Sequence, residues 1–141
     1  MSVATAIDNA YGLVAEATAI GIFDGATGTP LGYRTMTDDE FDLIASIASE
    51  YCRNVRRRAR STQEDRDESL WADLVDGVTV TRFDEMLFPV GNRWVFVGQF
   101  RSSETAMICI STPQGIDAKD LLSRARRLLA EECVVDPATT A

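Results

Sequence analysis

The chain contains no histidine. That removes Ser-His-Asp and Cys-His nucleophile systems, imidazole general bases and His-ligated zinc. Cysteine is scarce: Cys52, Cys109 and Cys133 are odd in number and have no CxxC spacing. Neither a disulfide framework nor a zinc site is expected, and buried thiols in a reducing compartment are the favoured reading. No apolar run approaches the ~18–20 residues that span a bilayer. The stretch from Met1 to Gly12 has no basic segment and carries Asp8 early, so it does not read as a signal peptide. A cytoplasmic location without membrane insertion is therefore expected. Basic charge is also in deficit, with 14 basic against 22 acidic residues and a net charge of -8. Binding to duplex nucleic acid would need the opposite balance.

What is present describes one globular domain. The 141 residues are 45% apolar and 26% charged, enough to bury a core without staples. We read residues 1–135 as a single domain and 136–141 as a frayed tail. From Ser2 to Thr18 the residues Val3, Ile7, Tyr11 and Val14 mark one helix face. The apolar run Ala19 to Phe23, the turn-prone Asp24-Gly25-Ala26-Thr27-Gly28 and the segment Thr29 to Thr35 make a hairpin, with Pro30 at a strand start or edge. Thr37-Asp38-Asp39-Glu40 is a capping box. It opens a long helix to about Arg60 with the stripe Phe41, Ile44, Ile47, Ala48, Tyr51 and Val55. Residues 61–69 are entirely polar and read as a mobile loop. Strand candidates follow at Val78 to Phe83, Met86 to Val90, Arg93 to Phe100 and Ala106 to Ser111, with Gly91-Asn92 as a hairpin connector. A last helix runs from Ala118 to about Cys133, capped by Asp117. Strands grouped by hairpins favour α+β with an antiparallel sheet flanked by helices.

Residues that bear chemistry are few. Gly25-Ala26-Thr27-Gly28 lacks both the GxxxxGK[ST] and GxGxxG patterns and leads into a strand, so a turn is favoured over a phosphate loop. Asp38, Asp39, Glu40 and Asp42 are too crowded to be a chosen acid–base pair, and helix capping explains most of them. No catalytic residue, cofactor site or metal site is expected. Arg53, Arg56, Arg57, Arg58 and Arg60 cluster at the end of the long helix. A solvated helix end is the simpler account. The alternative is a partner surface formed by Arg53, Arg56, Arg57 and Arg60.

The order and spacing resemble the roadblock (dynein light chain) family, whose bacterial members regulate small GTPases. The residues that carry the resemblance are Ile20-Gly21-Ile22-Phe23-Asp24, Thr27-Gly28-Thr29-Pro30-Leu31, the helix from Asp38 to Arg60, Val78 to Phe83, Glu85-Met86-Leu87-Phe88-Pro89-Val90 and Arg93-Trp94-Val95-Phe96-Val97. They cover residues 2–100, and a terminal helix suits the bacterial type. Two departures are the long loop 61–69 and the surplus run Ala106 to Ser111, which would also suit a related profilin-like architecture such as a longin domain. The resemblance implies a roadblock/profilin-like α-β-β-α-β-β-β-α fold and a non-catalytic homodimer paired through the strand after the long helix. Its interface would involve Phe41, Ile44, Tyr51, Val78, Val80 and Arg82, and a Ras-like small GTPase would be the partner. The alternative is a small-molecule sensory module of related shape, with a pocket between sheet and helices lined by Phe23, Tyr33 and Trp94. An enzyme using carboxylates or cysteine is the remaining, least favoured reading.

Overall fold

The computed structural model describes residues 3–52, 80–81, 85–100 and 106–131. Its element order is α1 (Val3–Leu13), β1 (Ala19–Asp24), β2 (Pro30–Thr35), α2 (Asp38–Glu50), β3 (Val80–Thr81), β4 (Glu85–Val90), β5 (Arg93–Gln99), β6 (Ala106–Pro113) and α3 (Ala118–Glu131). The strands form one antiparallel sheet in the order β2-β1-β6-β5-β4-β3.

Side chains alternate across a strand, so each strand feeds two cores. Ile20, Ile22, Leu87, Phe96, Ile108 and Ile110 face α1 and α3, where they meet Ala6, Ile7, Ala10, Leu121, Ala125 and Leu128. Ala19, Phe23, Met86, Phe88, Val95, Val97, Met107 and Cys109 make the opposite core, together with Ile44, Ala48 and Tyr51. A sheet apolar on both faces must be covered on both faces, and the three-layer arrangement of helix, sheet and helix follows.

The run from Ala106, surplus on the resemblance, is the central strand. β6 pairs with β1 on one side (Ala19↔Ser111, Phe23↔Met107) and β5 on the other (Val95↔Ser111, Val97↔Cys109). Of the expected strand Val78 to Phe83, only Val80–Thr81 lies among the described residues, as the outer strand beside β4. The helical face of α1 is also rotated from the expected stripe. Ala6, Ile7, Ala10 and Val14 are buried, while Val3 and Tyr11 are only partly so. The two alanines let the helix sit close to the sheet, and the larger residues flank the contact.

Turn chemistry is as the sequence reads. Pro30 starts the edge strand β2. Asp24 Oδ1 accepts from the Ala26 amide at 2.9 Å, and the Asp24 carbonyl accepts from the Gly28 amide at 2.7 Å. Gly91 holds φ +59 at the first central position of the β4–β5 turn, which a Gly-led hairpin turn requires. Asp117 Oδ1 accepts from the Lys119 amide at 3.0 Å and caps α3. No helix among the described residues is long and apolar enough to cross a membrane.

Gly21 fixes how closely α2 approaches. A Cβ there would stand 2.7 Å from Phe23 Cε1 and 2.9 Å from Ile44 Cδ1. Gly21→Val is therefore expected to destabilise the fold by about 1–3 kcal/mol through overpacking. Urea unfolding should show a lower midpoint with an unchanged slope. Gly115→Ala, where a Cβ meets nothing within 4 Å, is the matched control and should stay within about 0.5 kcal/mol of the parent.

Candidate interaction surface

α2 lies over β1, β2 and β6. Thr37 is its N-cap, in extended conformation, with Oγ1 accepting from the Glu40 amide at 3.2 Å. Only half of the expected capping box forms. The Glu40 side chain, 6% exposed, turns inward and pairs with Arg93 of β5, whose Nε donates to Glu40 Oε1 at 2.6 Å. Glu40 Oε2 accepts from Thr18 Oγ1 at 3.2 Å and from Ser111 Oγ at 3.4 Å. Burying this carboxylate is tolerable because a cation and two hydroxyls surround it. The cluster ties together the start of β1, the end of β6, the start of β5 and the first turn of α2.

A second such pair joins sheet to helix on the other face. Glu85 is buried at the start of β4, and Arg126 Nε of α3 donates to its Oε1 at 2.6 Å. Arg124 of the same helix bridges Glu16 at 2.9 Å and also pairs with Asp120. Both buried carboxylates left a signal in the sequence, which at Glu40 the capping pattern masks. Glu40 is in helical register with Ile44 and Ala48, and Glu85 shares its strand face with Leu87. An acid in a core register demands a partner.

The residues expected at an interface fall into separate groups. Ile44 (0% exposed) and Tyr51 (2%) point into the core, so a neighbour would meet the opposite side of α2. The half-buried Leu43, Ala45 and Ile47 pack against that same core, and the opposite side carries the exposed Asp42, Ser46 and Glu50. A shallow depression of about 300 Å³ is lined there by Ala45, Ser46, Ser49 and Glu50. Phe41 is half-buried and stacks on Tyr33 with ring centroids 4.2 Å apart. Val80 sits on the outer strand. Val78, Arg82, Arg53, Arg56, Arg57 and Arg60 lie outside the described residues, as do the loop 61–69, Cys133 and the tail 136–141.

The pocket between sheet and helices that the alternative sensory reading would need is not formed by Phe23, Tyr33 and Trp94 together. Phe23 is buried beneath α2, Trp94 packs on the α1/α3 side, and Tyr33 is open to solvent. Strand alternation sends Phe23 and Trp94 to opposite faces, so they cannot line one cavity. Among the described residues no group of three or more acids and cysteines is placed to hold a metal ion. Burial pushes the Cys109 thiol far above its ordinary range, which suits a core residue and not a nucleophile.

No protein-family model and no curated protein matches the sequence. Solved structures do match. Myxococcus xanthus MglB aligns at TM-score 0.58 and 13% identity over 89% of this chain and 86% of its own. A Roadblock/LC7 domain from Streptomyces avermitilis aligns at TM-score 0.57 and 15% identity over 92% of each chain. Profilin II from Acanthamoeba castellanii aligns at TM-score 0.58 and 11% identity over 89% of this chain and 91% of its own. The chain has the roadblock/profilin-like fold. At these identities the likeness is one of architecture.

Two outcomes test the buried groups. Arg93→Leu leaves Glu40 with hydroxyl partners alone and should cost about 2–3 kcal/mol. That is below the range for a fully buried pair, because the Arg93 head is one-third exposed; thermal melting reads the loss. In a Cys52→Ser/Cys133→Ser variant, Cys109 should resist a thiol reagent such as DTNB at pH 8 until urea unfolds the chain. Fast labelling of the folded protein would contradict its burial.

Proposed function

We propose that the chain is a non-catalytic, roadblock-type regulator that pairs with itself and acts on a Ras-like small GTPase in the cytoplasm. The observation that carries this reading is the architecture, matched over nearly the whole chain by MglB and roadblock structures. The sequence resemblance favours the roadblock branch over profilin, because Ile20 to Asp24, Thr27 to Leu31 and Glu85 to Val97 follow the roadblock pattern. Charge is spent on holding the fold together: Glu40, Glu85, Arg93, Arg124 and Arg126 are all paired internally.

The proposed seam is the β3 edge. Two copies joined there by a two-fold axis would continue the sheet and bring their α2 helices side by side. Leu43 and Ile47, on the Glu40 side of α2, would then lie nearest the partner helix, while Phe41, stacked on Tyr33 of β2, lies toward the opposite edge. Arg53, Arg56, Arg57 and Arg60 follow α2 in sequence and form the proposed GTPase-binding patch.

Titration with a Ras-like small GTPase from the same genome tests the reading. Wild type should bind the GTP-loaded form, and Arg53→Glu/Arg57→Glu should bind at least about tenfold more weakly with a shallower salt dependence. Val80→Asp should dissociate the pair by placing a charge in the seam. Equal binding by the arginine variant and wild type would remove the patch from the account. Absence of binding by wild type itself would remove the GTPase.

A further inference from the structure

The opposite edge of the sheet has its own chemistry. β2 is an outer strand, and no strand among the described residues pairs with its free side. One row of its backbone N–H and C=O groups therefore faces solvent. At that edge stand the two large apolar side chains exposed among the described residues, Tyr33 at 53% and Met36 at 72%. Tyr33 is not loose, because it is stacked on Phe41 at an interplanar angle of 40°. The result is a fixed aromatic platform beside an open strand.

The rim of this platform is anionic. Asp38, Asp39 and Asp42 at the start of α2 are exposed and make no ion pair among the described residues. Glu40 is withdrawn into the cluster with Arg93. The edge strand's own cation, Arg34, is drawn to the other face, where it pairs with Asp8 and lies 5.5 Å over the Tyr11 ring. The α2 side of the edge thus keeps three negative charges and no cation of its own from β2.

We propose that the β2 edge binds an extended, cationic segment of a partner protein by strand addition. The open backbone row supplies the hydrogen bonds of an added strand, and the side chains beside it set the specificity. An apolar side chain of the segment rests on Tyr33 and Met36, and its arginines or lysines face Asp38, Asp39 and Asp42. This surface is separate from the β3 seam and the arginine patch, so it stands whether or not the GTPase reading holds.

The test uses the full chain and a fluorescein-labelled decapeptide of alternating arginine and valine, with a glutamate–valine decapeptide as control. Fluorescence anisotropy should show saturable binding of the arginine peptide alone. Affinity should fall by roughly tenfold in Asp38→Asn/Asp39→Asn/Asp42→Asn and again in Met36→Lys, with binding weakened by salt. Both variants change exposed side chains, and circular dichroism checks the fold. Hydrogen exchange should show new protection across residues 31–35 when the peptide is bound. Equal binding of the glutamate peptide, equal binding by the aspartate variant, or no new protection in 31–35 would overturn the proposal. So would self-association lost on Met36→Lys, since the occupant would then be a second copy.

Discussion

Every other part of this structure depends on the pairing of β1 with β6. The register Ala19↔Ser111 to Asp24↔Ala106 joins the N-terminal helix and hairpin to the C-terminal meander. Without it there are two small fragments, each with exposed sheet. With it, Ile20, Ile22, Ile108 and Ile110 become one apolar surface for α1 and α3, while Phe23, Met107 and Cys109 become another for α2. The contact spans most of the chain, so its closure entropy is met only when both cores assemble. The Glu40–Arg93 cluster lies at the end of this seam, where Thr18 precedes β1 and Ser111 sits on β6.

The buried charges serve specificity. An apolar sheet with two apolar faces could accept a helix in several positions. A carboxylate at Glu40 that must find Arg93, and one at Glu85 that must find Arg126, leave one position for α2 and one for α3. What the described residues leave outward is the outer side of α2 and the two sheet edges, features that suit association with other chains.

Local features were legible in the sequence and non-local ones were not. The stripe of α2, the turns at Gly25 to Gly28 and at Gly91-Asn92, the Asp117 cap and the α3 face Leu121, Ala125, Leu128 and Leu129 follow from periodicity and backbone preference. β6 was legible as a strand but not as the central one, because strand order is decided by contacts far apart in the chain. Glu40 reads as a cap residue because its spacing from Thr37 is right; the competing cation, Arg93, lies 53 positions away. The proposed pocket of Phe23, Tyr33 and Trp94 failed for a similar reason. Aromatic residues can be picked out one at a time, but which face each takes depends on the sheet register.

The central claim is that this fold acts through assembly and not through chemistry. Small-angle X-ray scattering over a concentration series tests it most directly. The account predicts a forward-scattering mass of twice 15.5 kDa that persists on dilution to tens of micromolar. A mass of 15.5 kDa with a radius of gyration near 14 Å, the value for a compact single chain of this length, at every concentration would contradict it.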